Sequence, residues 1–471
     1  MIQTKESTTN TGDITFRSSP DEELAGPVPG YAQAVTRQER ISSMDTLRGF
    51  ALLGILLSNI FSFAVPVMPN PFPTSFLKPA FLGSHAHLNL VLSYLNWTFV
   101  EGKMRGIFTL LFGAGVILLT RRAEERGAYK TVADIFLRRN MWLALFGMLH
   151  AYLIWDGDVL YFYAITSLLF LYPCRHLKPR TLLIAGISIS LVLSTYSFLR
   201  LAHGVDDVIL SWQASAALES QKGHKQLTES QKYELHAWAD RLIPEKTDRK
   251  QIDDGIRDRN EGYVAYIKRG AQRVGHIESE IYYRFIYTDS LGMMLIGMAL
   301  IKNRFLTAEL SYRTYIWTAL IGFLVSIPLT FMGLFKLWHS GFAPGIYSLW
   351  IIFPFNLTRI GGALATASVI LIVIKSGLLR SLTKPLAAVG QMALTNYLLT
   401  SIILQFVFLC SPWKLYGQLE YYQLYYVVLA MWTFNLVFSS IWLRYFNFGP
   451  MEWLWRSLTY WKRQSMLSRA V

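Results

Sequence analysis

The stretch Asp45-Thr46-Leu47-Arg48-Gly49-Phe50-Ala51-Leu52-Leu53-Gly54-Ile55-Leu56-Leu57-Ser58-Asn59 decides the architecture. Apolar residues occupy every side of this helical run, which marks a helix enclosed by protein or lipid rather than one lying on a wet surface. Similar runs recur along the 471-residue chain, which is 52% hydrophobic, 14% aromatic and 16% charged. A soluble protein carries ~25% charged residues. The aromatic content excludes a disordered chain, and the long apolar runs argue against a plain cytosolic enzyme. Lys and Arg outnumber Asp and Glu by 45 to 31, a net +14, and in this setting the excess reads as membrane topology before nucleic-acid binding. Cys174 and Cys410 lie in or beside apolar segments, so neither a disulfide framework nor a zinc cluster is expected.

A bilayer core takes roughly 20 apolar residues per helix. Stretches near 47–67, 104–120, 139–155, 159–173, 181–201, 285–301, 314–335, 347–374, 386–410 and 422–443 approach that length. They predict an all-α, polytopic membrane bundle of about ten transmembrane helices. The 347–374 stretch is long enough to tilt or break near Arg359–Gly362, and Leu88–Val100 reads as an extension of the second span or an interfacial piece. Basic residues cluster in alternate connections: Arg121, Arg122, Arg126, Lys130, Arg138 and Arg139; then Arg175, Lys178 and Arg180; then Lys302, Arg304 and Arg313; then Lys375, Arg380 and Lys384. The intervening connections hold Lys78, Lys336 and Lys414. This alternation predicts N-in and C-in termini. The organisation follows: a disordered leader over 1–40 without a signal peptide, a first membrane half over 41–201, a non-cytoplasmic polar loop or helical cap over 202–283, a second membrane half over 284–446 and an amphipathic tail over 447–471.

Ionisable groups inside spans are costly and are candidates for function. Arg48 and Asn59 are eleven residues apart, so they share one helix face, about 16 Å apart in depth. Asp45 is placed to pair with Arg48; Arg48 could equally snorkel to headgroups while Asn59 joins two helices. Gly49 and Gly54 would let a neighbouring helix approach. His150, followed by Trp155-Asp156-Gly157-Asp158, offers a general base with carboxylates that could fix its tautomer. The same aspartates also suit a turn and a helix N-cap, and Trp155 suits an interface. Lys103 and Arg105 open a span against the basic-loop trend, where they could meet an anionic substrate or pair with Glu101 and lipid headgroups. His85 and His87 lack adjoining metal ligands, and no metal is predicted. Gln391, Thr395, Asn396 and Tyr397 form a polar band, with Gln405 on the same face of a continuous helix; substrate lining and interhelical hydrogen bonding both account for it. Glu452 and Arg456 form an i,i+4 pair in the tail, which reads as a surface anchor.

Several ordered motifs carry a family resemblance: the first-span run, Lys103…Phe112-Gly113-Ala114-Gly115, His150…Trp155-Asp156-Gly157-Asp158, Met392-Ala393-Leu394-Thr395-Asn396-Tyr397, and Ile441-Trp442-Leu443-Arg444-Tyr445-Phe446…Gly449-Pro450-Met451-Glu452-Trp453-Leu454-Trp455-Arg456. Over about residues 40–460 the chain resembles the YeiB-like family of polytopic bacterial membrane proteins, which implies a multi-pass protein of the bacterial inner membrane. The first span is more distantly similar to the transmembrane acyltransferase superfamily. Its acyltransferase-3 branch places a histidine where this chain has Asn59, and its heparan-acetylating branch has asparagine there with a catalytic histidine elsewhere. His150 is then the candidate base.

That distant resemblance implies an acyltransferase. Acetyl-CoA or another acyl-CoA would enter from the cytoplasm, with Asp45, Arg48, Lys103 and Arg105 as the candidate donor-binding set. His150, Asp156, Asp158 and Asn59 would form the catalytic set, and Gln391, Thr395, Asn396 and Tyr397 the substrate lining. Asn59 or Asn396 could steady the carbonyl oxygen. The acceptor would be a sugar, a lipid or a small metabolite. A small-solute transporter using the same buried polar residues is the alternative, and a membrane sensor or assembly factor built on the 202–283 segment is a third reading.

Overall fold

Every apolar stretch picked out above is largely helical in the computed structural model, which describes residues 41–65, 84–125, 127, 129–201, 204–224, 226–241, 254, 256, 257, 259, 261–280, 287–339, 344–413 and 415–467. The expected leader, Lys78, Arg126, Lys414 and parts of the 202–283 segment lie outside the described residues. The principal helices are α1 (Ser42–Ala64), α2 (Ala86–Phe99), α3 (Lys103–Glu125), α4 (Tyr129–Leu153), α5 (Leu160–Thr166), α6 (Pro179–Tyr196), α7 (Gly204–Lys222) and α8 (Glu229–Arg241), followed by α9 (Tyr263–His276), α10 (Tyr287–Lys302), α11 (Tyr312–His339), α12 (Phe355–Ser376), α13 (Arg380–Gln391), α14 (Ala393–Gln405), α15 (Tyr421–Tyr445) and α16 (Pro450–Tyr460). Among the described residues the sole β pairing is an isolated bridge between Phe446 and Leu467.

Among the described residues, seven helical stretches are long and apolar enough to cross a membrane: Ser42–Ala64, Ala86–Glu125, Pro179–Leu199, Tyr312–His339, Phe355–Ser376, Ala393–Cys410 and Tyr421–Tyr445. Leu160–Cys174 and Ser290–Lys302 are apolar but shorter. In α4, Arg138, Arg139, Asn140 and His150 dilute the apolar run. Side-chain orientation carries the membrane signature independently. Helix α2 buries Asn89, Ser93, Asn96 and Thr98 and exposes Leu88, Val91, Leu95 and Phe99. Helix α11 buries Gly322, Ser326, Thr330 and Gly333 while Leu320, Leu324, Phe331 and Phe335 face outward. Water would select the reverse arrangement, whereas lipid leaves small and polar residues to make the helix contacts.

Helix α1 sits at the centre. Met44, Leu47 and Ala51 join a core made largely by α3, α10 and α12, and Leu52, Leu56 and Ile60 join a second core made by α4, α14 and α15. Against α13 the approach is backbone to backbone. A Cβ on Gly390 would lie 1.8 Å from the Asp45 carbonyl oxygen, and one on Gly49 would lie 1.9 Å from that of Leu386. Only glycine permits this crossing, which brings the Arg48 turn beside Gln391.

Two helix breaks differ from the sequence expectation. The break in the 347–374 stretch falls at Phe353-Pro354, because proline has no N–H to continue the ladder, and α12 runs unbroken through Arg359–Gly362. The 386–410 stretch is not one helix: it breaks at Met392 (φ −109°, ψ 31°). Gln391 and Gln405 therefore belong to different helices and share no face. The freed start of α14 is satisfied from the tail. The Glu452 carboxylate accepts from the Leu394 amide (2.6 Å), the Thr395 amide (3.0 Å) and the Thr395 hydroxyl (2.5 Å). Helix α16 is thus drawn into the bundle, and Glu452 is buried instead of standing on a surface anchor. Unpaired amides at this depth would be costly, so the carboxylate goes to them.

Glu452→Ala strips an acceptor from three buried donors at once. Its expected cost is about 2–4 kcal/mol, read as a lowered thermal midpoint in detergent, with Glu452→Gln losing less.

Candidate functional site

Helices α1, α3, α4, α14 and α16 enclose a cavity of about 240 Å³. At one end it is lined by four arginines from four different helices, Arg48, Arg122, Arg139 and Arg456, with Asp45 and Glu452 among them. Arg48 donates to Asp45 Oδ1 at 2.9 Å. The Arg139 guanidinium lies over the Trp455 ring at 3.9 Å, and the Trp455 indole N–H donates to the Arg139 carbonyl at 2.8 Å. Arg48 and Arg139 are close enough to repel each other. Like charges held this way favour an anionic guest, and guanidinium groups suit phosphate or carboxylate in particular. The middle of the cavity is apolar, with Phe108, Leu111, Phe112 and Leu143, and its far wall includes Tyr163 and Tyr397.

Behind Tyr397 lies a second polar group. His150 Nδ1 is 2.8 Å from Asp158 Oδ1, and both side chains are almost fully buried. A neutral imidazole bonded this way donates Nδ1–H and keeps its lone pair on Nε2; Nε2 is buried with no hydrogen-bond partner among the described residues. Asp158 serves the structural and the chemical roles together. Its Oδ2 accepts from the Tyr161 amide at 2.8 Å at the start of α5, while Oδ1 faces His150 and the Tyr397 hydroxyl at 3.4 Å. The Tyr397 ring stands 4.9 Å from the imidazole, so this tyrosine faces the cavity and the dyad together. Trp155, expected at an interface, is instead buried against Phe63 at 4.3 Å and edge-on to His150 at 6.1 Å.

The remaining candidates fall into separate places. Gln391 lines the arginine cavity. Thr395 is engaged by Glu452, and Asn396 donates to Val389 O and Ser439 Oγ, at 3.2 and 2.8 Å. Asn59 borders a distinct pocket of about 20 Å³ on the other side of Tyr397. Asp156 pairs with Arg273 at 3.0 Å, tying the hairpin to α9. Lys103 is buried and donates to the Trp97 carbonyl at 2.7 Å. It opens α3 nineteen residues before Arg122, so roughly 28 Å of helix separates it from the arginine end of the cavity, and Arg105 is exposed at the same end as Lys103. The proposed anion set is therefore divided, with Arg122, Arg139 and Arg456 accompanying Arg48. His85 Nδ1 meets Glu420 at 3.3 Å. Among the described residues no three His, Cys, Asp or Glu side chains gather as a metal site.

Sequence reasoning also missed Glu278, just beyond α9 in the polar loop. It is buried, takes a hydrogen bond from the Tyr152 hydroxyl and feels the charge of Asp158. Nothing local in the sequence points to it, since the contact spans more than a hundred residues.

Comparison with known proteins agrees with the motif resemblance. Residues 300–462 match a family model described as "Protein of unknown function (DUF418)". The chain is 29% identical over 437 residues to "Uncharacterized protein YxaH" of Bacillus subtilis (strain 168), covering 91% of this chain and 96% of that protein. It is 28% identical over 427 residues to "Uncharacterized protein YeiB" of Escherichia coli (strain K12), covering 89% and 96%. Together these matches support a YeiB-like family for the chain. No solved structure matches it.

Burial pushes the Glu278 carboxyl from 4.5 up to about 7, with Asp158 adding and the Tyr152 hydrogen bond opposing. The folded protein then holds this proton more tightly than the unfolded chain, so the contribution to stability is present at low pH and is lost as pH rises between those values. Thermal midpoints across that range should fall by a few degrees in wild type, and Glu278→Gln should flatten the profile.

Proposed function

We propose that this YeiB-like chain transfers an acyl group from a phosphate-bearing thioester, such as an acyl-CoA, to a hydroxyl or amine acceptor. One observation carries the reading: four arginines and Tyr397 line a single cavity, and Tyr397 is hydrogen-bonded to the carboxylate that holds His150. The arginine end would take the phosphates from the cytoplasmic side, and the apolar middle would take the acyl portion. The acceptor oxygen or nitrogen attacks the thioester carbonyl carbon, the C–S bond breaks, and the acceptor's proton passes to His150 Nε2 and on to the leaving thiolate. Asp158 holds the imidazole in the tautomer this requires. Because the imidazole lies behind the Tyr397 ring, the step needs that ring to turn or its hydroxyl to relay the proton. Gln391 and the Tyr397 hydroxyl are the neutral donors placed to steady the carbonyl oxygen. Asn59 and Asn396 fall outside the cavity lining and take supporting places in this scheme.

Polar pockets on either side of Tyr397 also fit a small-solute transporter gated by that ring, and one assay separates the two. Protein in sealed liposomes should release free thiol from acetyl-CoA in the presence of acceptor, and His150→Ala should lower the rate about 10²–10⁴-fold. Arg139→Gln should raise KM more than it lowers kcat. Acceptor entry without thiol release would favour the transporter, and a His150→Ala variant at full rate would remove the imidazole from the chemistry.

A further inference from the structure

The pocket beyond Tyr397 is small, about 20 Å³; Leu52, Leu56 and Phe63 form much of its wall, and Asn59 from α1, Trp155 from the hairpin, Thr400 and Ser401 from α14, and Asn435 from α15 supply its polar part. Trp155 and Asn435 are both more than nine-tenths buried. The Asn435 amide nitrogen donates to Thr400 Oγ1 at 3.2 Å, which fixes its orientation and leaves Oδ1 unpartnered among the described residues. The Trp155 indole N–H is likewise buried without a partner among the described residues. Two residues of the wall thus carry one unused acceptor and one unused donor around a space the size of one solvent molecule. Buried polar atoms in folded proteins are almost always paired, and a polar space of roughly 10–15 Å³ or more holds a water. Only a neutral group that both gives and takes a hydrogen bond suits this pair; a cation would face the indole N–H, and a carboxylate would face the Asn435 carbonyl oxygen.

We infer that this pocket is a binding site for one ordered water, held by the Asn435 side-chain oxygen and the Trp155 indole. Asn435, which has no role in the scheme above, becomes a positioning residue: through the water it fixes Trp155, whose edge packs on His150. The water site stands whether or not the protein transfers acyl groups, because it rests on packing and on unpaired atoms alone.

Radiolytic hydroxyl-radical footprinting in H₂¹⁸O, on the full chain in lipid nanodiscs, tests it, since a bound water generates radicals where bulk solvent does not reach. Trp155 should take up ¹⁸O within about tenfold of the exposed Trp413, and Asn435→Leu should cut Trp155 labelling at least about fivefold while Trp413 labelling stays constant and reports an intact fold. Should Asn435→Leu fail to fold, Asn59→Leu fills the same pocket from α1 and should give the same loss. An unlabelled Trp155 in wild type overturns the inference, as does equal labelling in a folded, pocket-filled variant.

Discussion

Asp158 is the contact on which the rest of the site depends. One carboxylate oxygen accepts from the Tyr161 amide in the first turn of α5 and the other holds His150, while the Tyr397 hydroxyl approaches the latter. His150, Tyr161 and the distant Tyr397 meet on one side chain. In water such a group would lend each partner a fraction of a kcal/mol, but at this burial an unpaired carboxylate is costly enough to dictate where its neighbours go. Gly147 makes the arrangement sterically feasible, because a Cβ there would lie 2.3 Å from the Tyr161 amide and 2.9 Å from Asp158 Oδ2. Removing the carboxylate would therefore disturb helix start, tautomer and cavity wall together, and its contributions are not separable by simple addition.

How much of this was legible in the sequence follows from the range of each interaction. The all-helical membrane architecture was visible because it depends on local runs. Arg48 with Asp45, and His150 with Asp158, were found because each pair lies within eight residues. The break at Met392 was not: the 386–410 run contains no proline after Pro385, and the carboxylate that stabilises the break is nearly sixty residues away. Arg122 and Arg139 read as basic loop charges, yet charge alone could not tell that they lie within α3 and α4 and line the cavity with Arg48. Lys103 and Arg105 carried the same sign, and the fold sets Lys103 about 28 Å along α3 from Arg122. Residues of like charge thus divided according to which end of α3 they occupy and what packs there, and that is a tertiary fact.

The polar loop gains a definite place. Helix α9 leans on the hairpin through Arg273 with Asp156, and the Tyr266 hydroxyl receives a hydrogen bond from Gln405 at 2.9 Å while Gln405 also donates to the Ile154 carbonyl at 2.6 Å. Glu278 then closes over Tyr152 near Asp158. A segment that composition alone describes as solvated thereby covers the end of the bundle where His150 lies, and its carboxyl bonds Tyr152, two residues from the imidazole.

The seal that Glu452 places on α14 has a consequence for biogenesis. A ribosome delivers residue 394 well before residue 452, so during insertion the bare amides at the mouth of that half-helix must wait, hydrated or chaperoned, for the final helix to arrive. Everything upstream can already be in the bilayer while the chamber still lacks its stopper. A nascent chain arrested before residue 452 would accordingly be threaded yet unfinished, and quality-control proteases would find its weak point at that mouth.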